Sequence, residues 1–305
     1  MARRLDGRVA GTMKLQGSMT ALATPFRGGA LDEDPYRALV RQQLAGGTAG
    51  LVPCGTTGEA VTMSAAEKTR AVRVVVEEAK GRVPVVAGAG SNSTADTIEA
   101  MGRVREVGAD AALVVTPYYN KPNQAGLLEH YRACVRAHPS FPIVVYNVPG
   151  RTGGDILPET MQRLCELDEI VAIKEATASM IRAVDLREKC GPRLTMLSGD
   201  DFTVVPFIAC GGDGVISVSS NVAPRLMADL VEAARRGERD RALELQVRLN
   251  PLHRLLFAEP NPIPVKWALH LMGMFGPEIR LPLVPLGEPN RIALATELRR
   301  LGLLS

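Results

Sequence analysis

Lys174 closes the apolar run Ile170-Val171-Ala172-Ile173 and is followed by Glu175. Such a run reads as a buried strand, so the lysine stem would start in the wall of a sheet and its amine would emerge at the strand's end. An amine desolvated in that position loses part of its preference for the ammonium form and can attack a carbonyl, which is Schiff-base chemistry. The competing reading is a structural lysine paired with Glu175. Gly55-Thr56-Thr57-Gly58-Glu59 offers consecutive backbone N–H groups and two hydroxyls, suited to a carboxylate or phosphate; a plain strand-to-helix turn uses the same residues. Three of the five tyrosines, Tyr118, Tyr119 and Tyr146, sit at strand ends, where a phenol either passes protons or packs over a rim. Arg151, in Pro149-Gly150-Arg151-Thr152-Gly153-Gly154, presents a planar fork that fits a carboxylate, or else lies on the surface.

These residues need a frame that gathers strand ends on one side. Eight short apolar runs, at 19–24, 50–54, 83–89, 111–116, 143–147, 170–174, 194–198 and 214–218, alternate with segments of helical period. Their hydrophobicity does not alternate, as expected of strands covered on both faces of a parallel sheet. Ser64 with Glu67 predicts a capping box, and Thr94 opens a stretch with Ile98, Met101, Val104 and Val107 on one face. Eight strand-then-helix units predict an α/β fold, a (β/α)₈ TIM barrel over 17–237, with chemistry at the strands' C-terminal ends. A doubly wound open sheet is the alternative, but no G-x-G-x-x-G follows the first strand. Residues 1–16 read as a polar extension, and 238–305 as a C-terminal helical region packed on the barrel.

Composition narrows the function. The chain has 305 residues, 46% of them hydrophobic, enough for one large core. Its 36 Lys+Arg against 33 Asp+Glu give a net charge of only +3, too little for a nucleic-acid footprint. Five cysteines without a C-x-x-C pair point to reduced thiols and, with no apolar span or leader pattern, to the cytoplasm and no membrane. The four histidines, His130, His138, His253 and His270, avoid strand ends and ligand spacings, which argues against a metal-dependent aldolase. Walker A and G-x-S-x-G patterns do not occur.

Six motifs in order, GTTGE (55–59), TPYYNKP (116–122), YNVPGRTG (146–153), IKEA (173–176), SGDD (198–201) and FAEPNPIPVKWAL (257–269), make the chain resemble the dihydrodipicolinate synthase family over about residues 14 to 300. This family lies within the N-acetylneuraminate lyase superfamily of class I aldolases. The resemblance implies that Lys174 forms an imine with pyruvate, whose enamine attacks L-aspartate 4-semialdehyde on the diaminopimelate route to lysine. It casts Thr56, Tyr146 and Tyr119 as a proton relay, with Tyr119 reaching in from a neighbouring subunit. Thr57 and the loop amides would bind the pyruvate carboxylate and Arg151 that of the semialdehyde, while Gly199 and Ile216 would line the site through their main chain. It implies no metal or organic cofactor, and a homotetramer built as a dimer of dimers. Related activities on the same frame are the N-acetylneuraminate lyase type, the 2-keto-3-deoxygluconate aldolase type and hydroxyproline-pathway dehydratases; a keto-acid-binding barrel without turnover is the alternative outside catalysis.

The resemblance also implies an allosteric lysine cleft at Ala60, Ala65, Lys68, Asn92 and Tyr118. Asn92 and Tyr118 fit that pattern. Ala60, Ala65 and Lys68 stand where lysine-sensitive members commonly carry a serine and two histidines. Lys68 adds positive charge beside a cationic ligand, so weak or absent inhibition is expected. Gly150 replaces a commoner serine before the arginine.

Overall fold

The structure, a computed structural model, describes residues 15–304, so the expected polar extension falls almost wholly outside the described residues. Every apolar run forms a strand: β1 (Gly17–Ala21), β2 (Gly50–Val52), β3 (Val86–Gly88), β4 (Ala111–Val115), β5 (Ile143–Asn147), β6 (Ile170–Glu175), β7 (Thr195–Ser198) and β8 (Gly214–Ser217). They pair in parallel, and β8 returns to β1 through Gly17–Gly214 and Met19–Ile216. A single parallel bridge between Leu51 and Val85 joins β2 to the start of β3 and closes the ring. The chain is therefore a (β/α)₈ barrel and not an open doubly wound sheet.

Parallel neighbours require crossovers, and the helices supply them: α1 (Glu33–Ala45), α2 (Ala65–Ala79), α3 (Thr94–Glu106), α4 (Gln124–Ala137), the single turn α5 (Pro149–Thr152), α6 (Pro158–Leu164), α7 (Met180–Cys190), α8 (Val204–Ala209) and α9 (Pro224–Arg235). Helix α2 starts at the expected capping box, in which Ser64 Oγ accepts from Glu67 N–H at 3.2 Å and Glu67 Oε2 accepts from Ser64 N–H at 2.8 Å. On α3, Met101 and Val104 turn inward as the periodicity requires. A short antiparallel pair, Phe26–Arg27 with Ala30–Leu31, follows β1 and was not legible in the pattern.

Alternate residues of the strands feed two apolar clusters. Met19, Val52, Leu113, Val144, Leu197 and Ile216 fill the barrel, while Leu51, Val114, Val145, Ile173 and Val215 face the helices. Strand β6 breaks the alternation, since Val171 and Ala172 both belong to the inner cluster. The pairing of β5 with β6 shifts there by one residue, from Ile143–Ile170 to Val144–Ala172. Without that shift Tyr146 would pair with Ile173; with it, Tyr146 pairs with Lys174 and both side chains reach the same face.

Beyond α9 the chain continues through α10 (Arg239–Leu256), α11 (Ile263–Leu271) and α12 (Glu288–Arg300). Leu245, Leu249, Leu252 and Leu256 form the buried stripe of α10. Two polar contacts fasten α10 to the loops after β7 and β8: Gln246 Nε2 donates to the Asp201 carbonyl at 3.1 Å, and His253 Nδ1 lies 2.7 Å from Ser219 Oγ. The segment after α10 is thereby delivered to the mouth of the barrel. Among the described residues no helix is long and apolar enough to cross a membrane.

Candidate active site

A cavity of about 420 Å³ opens at the C-terminal ends of the strands, lined by Thr56, Thr57, Tyr146, Arg151, Lys174 and Gly199 together with residues of the flanking loops. Six of the eight residues read as catalytic or substrate-binding meet there. Lys174 rises from the last turn of the barrel wall, is 7% exposed, and places Nζ 4.3 Å from the centroid of the Tyr146 ring. The pairing with Glu175 is not formed. Strand alternation turns Glu175 outward, where it accepts from Asn147 Nδ2 at 3.0 Å and Thr177 N–H at 2.7 Å, with Arg182 at 3.9 Å. Burial pushes the Glu175 carboxyl up, against the hydrogen bonds of Asn147 and Thr177. Lys174 is thus left without an ion pair among the described residues, which leaves its amine free to meet a carbonyl in the cavity.

Gly199 fixes the other side of the amine. A Cβ at this position would lie 2.6 Å from Ala176 Cβ and 3.2 Å from Lys174 Cε. The backbone cannot yield easily, because Gly199 N–H donates to the Glu175 carbonyl at 2.7 Å. Gly199→Ala should therefore tilt the lysine stem and lower turnover about 10- to 100-fold, with a smaller loss of stability, checked by steady-state rates beside a thermal unfolding curve.

The Gly55–Glu59 turn is closed by Gly58 N–H to the Gly55 carbonyl and Glu59 N–H to the Thr56 carbonyl, both at 3.1 Å. Its Thr56 and Thr57 amides have no hydrogen-bond partner among the described residues. Thr57 Oγ1 accepts from Asn261 Nδ2 at 3.0 Å, which leaves the threonine proton free to be donated. A carboxylate over this turn would meet two N–H groups and two hydroxyls.

Arg151 sits on the one-turn helix α5, exposed and without an ion pair among the described residues. The loop it rides on is anchored at its far end: Asn147 Nδ2 donates to Asp155 Oδ1 at 2.9 Å, and Arg182 forks onto both Asp155 oxygens at 2.9 and 2.7 Å. A Cβ at Gly150 would meet nothing within 4 Å, so the glycine there answers no steric demand.

Other expected residues lie elsewhere. Tyr119 has φ +73° and is 87% exposed, with its N–H on the Thr152 carbonyl at 3.2 Å; it does not line the cavity of its own chain. Ile216 is packed inside the barrel, 1% exposed, and the lining residue of that strand end is Val218, two positions on. Of the cleft residues, Ala60 opens a 3₁₀ turn, Ala65 and Lys68 lie on the first turn of α2, and none lines the cavity. Asn92 and the loop of Tyr118 are joined where Asn120 Nδ2 donates to the Asn92 carbonyl at 2.8 Å.

Asp200, which the sequence placed at a strand end without a role, lines the cavity, and so do Phe257 and Asn261, which the strand-end reading missed. Burial pushes the Asp200 carboxyl up, while Thr203 hydrogen bonds oppose it. Phe257 and Asn261 come from the helical region, and only the FAEPNPIPVKWAL motif signalled them. The histidines have structural partners: His130 meets Thr94, His138 the Ile98 carbonyl, His253 Ser219 and His270 the Phe275 carbonyl.

The chain is 55% identical over 291 residues to a 4-hydroxy-tetrahydrodipicolinate synthase of Anaeromyxobacter sp. (strain Fw109-5), covering 95% of this chain and 98% of the relative. The crystal structure of dihydrodipicolinate synthase from Aquifex aeolicus superposes with a TM-score of 0.93 at 41% identity, covering 95% of this chain and 99% of that one. The chloride-inhibited dihydrodipicolinate synthase from Acinetobacter baumannii, solved as a complex with pyruvate, gives a TM-score of 0.93 at 42% identity and covers 95% and 100%. The model of the dihydrodipicolinate synthetase family matches residues 14–301, from before the first strand to the end of the last helix, and the chain belongs to that family.

Proposed function

We propose that the chain condenses pyruvate with L-aspartate 4-semialdehyde to give 4-hydroxy-tetrahydrodipicolinate, a lyase-class step toward diaminopimelate and lysine. The observation that carries this reading is the buried Lys174, without an ion pair among the described residues, facing a cavity that also holds Tyr146, Thr56 and Thr57 of the Gly55–Glu59 turn, and Arg151. The Lys174 amine adds to the keto carbon of pyruvate, and loss of water leaves a cationic imine. That imine is the electron sink, so a methyl proton can leave and no metal or organic cofactor is needed. The enamine carbon bonds to the aldehyde carbon, whose oxygen takes a proton. The amino group of the semialdehyde then attacks the imine carbon, closes the ring and releases Lys174.

Thr56 and Tyr146 carry protons between these steps, and Thr57 with the turn amides holds the pyruvate carboxylate. Gly199 lines the site beside the amine, and at the end of β8 Val218 does so in place of Ile216. Tyr119 completes the relay from a neighbouring copy. Its exposure and its absence from its own cavity favour that role, and with it a homotetramer built as a dimer of dimers, which light scattering of the purified protein checks. The five free cysteines suit a cytoplasmic enzyme.

Coupled turnover with L-aspartate 4-semialdehyde tests the substrate assignment against N-acetylneuraminate and keto-deoxy sugars. Preference for either of the latter would move the activity to a sister reaction of the same frame. In the same assay, L-lysine at micromolar concentration should leave the rate unchanged, because Lys68 repels a cation; strong inhibition there would contradict this.

A further inference from the structure

Two charged groups next to the site are used by no step above. Glu59, the last residue of the Gly55–Glu59 turn, is 2% exposed, and Lys266 on α11 is 4% exposed. Lys266 Nζ donates to Glu59 Oε1, and Arg280 N–H donates to Glu59 Oε2 at 2.9 Å. Both carboxylate oxygens are thus held by the C-terminal region. A third tie runs the same way, from Asn261 Nδ2 to Thr57 Oγ1 at 3.0 Å. Glu59 also has φ +53°, a left-handed conformation that a glutamate keeps only when its surroundings impose it.

The clamp is itself braced. Phe26, on the short hairpin after β1, stacks under the Lys266 amine at 4.5 Å and the Arg280 guanidinium at 4.0 Å. Arg280 donates to the Thr62 carbonyl at 2.9 Å and pairs with Glu67 on α2, holding that carboxyl down to about 2. Burial pushes the Lys266 amine down, and Glu59 opposes that shift. With one partner removed, the other would be a lone buried charge at the base of the turn, a strongly destabilising arrangement that the turn can relieve only by moving.

We propose that Lys266 is a positioning residue for the keto-acid carboxylate: through Glu59 it sets the Gly55–Glu59 turn, so the C-terminal helical region controls affinity for the first substrate. This rests on the Schiff-base reading, in which the Thr56 and Thr57 amides receive that carboxylate. The loop after β5 that carries Arg151 is anchored by Asn147, Asp155 and Arg182, none of which belongs to this clamp. The second substrate should therefore be indifferent to Lys266.

The test measures Lys266→Met, Lys266→Arg and the double variant Glu59→Gln/Lys266→Met, each checked for a cooperative unfolding transition. Pyruvate is titrated in a borohydride trapping assay with intact-mass readout, alongside KM for both substrates. Lys266→Met should raise the half-saturating pyruvate about tenfold or more, with KM for the semialdehyde within about twofold and the adduct still on Lys174. Lys266→Arg should restore most of the affinity. If Lys266→Met does not fold, the double variant, which buries no lone charge but has lost the ionic tie between Glu59 and α11, is titrated in its place, and a raised half-saturating pyruvate is again the expected result. Unchanged pyruvate saturation in a folded variant, or a fall in kcat with both KM values unmoved, would overturn the proposal. Failure of the underlying reading looks different, since wild-type protein would then give no adduct on Lys174.

Discussion

Lys174→Ala should give no borohydride-trapped adduct with pyruvate, and turnover should fall on the order of 10⁴-fold or more, as when a covalent nucleophile is removed. Among the described residues no other lysine lines the cavity, and Lys266, the other buried lysine among them, is held by Glu59 at the base of the turn. The variant should nonetheless fold. The wild-type amine is buried without an ion pair among the described residues, so its removal strands no partner charge. Thermal unfolding should show a midpoint no lower than that of the wild type. Turnover lost together with the fold would mean that the lysine is structural.

Arg151→Ala separates the two halves of the reaction. The guanidinium makes no ion pair among the described residues and rides on α5, whose loop is anchored by Asn147, Asp155 and Arg182 without it. The variant should fold and trap pyruvate on Lys174 with wild-type saturation. Its kcat/KM for the semialdehyde should drop about 10²- to 10³-fold, through loss of a two-pronged charge-assisted contact to the carboxylate. Arg151→Lys should recover only part of this, because an ammonium cannot reproduce the planar fork. Equal damage to trapping and condensation would place Arg151 in the general architecture of the site.

The strands were legible because burial on both faces leaves uninterrupted apolar runs, and the α2 start because Ser64 and Glu67 satisfy each other's backbone. Lys174 stood out for the same reason: a charged residue ending an apolar run has to be explained. What brings it beside Tyr146 was not legible. The register shift at Val171 and Ala172 leaves no trace in hydrophobicity, since both residues suit either face of the strand. Asn261, Lys266 and Arg280 escaped because their partners Thr57 and Glu59 lie some 200 positions away, as the separations of 204, 207 and 221 show. No periodicity reports contacts over such distances. For Tyr119 the strand-end pattern gave only the residue type; that it serves a neighbouring copy was implied by the family resemblance alone, and its exposure outside its own cavity is in keeping with that.

Incubating the wild-type protein with pyruvate and borohydride, then measuring intact mass and mapping the modified peptide, tests the Schiff-base assignment most directly. The expected result is one reduced pyruvate adduct per chain, confined to Lys174. An adduct on a different lysine, or none at saturating pyruvate, would contradict it.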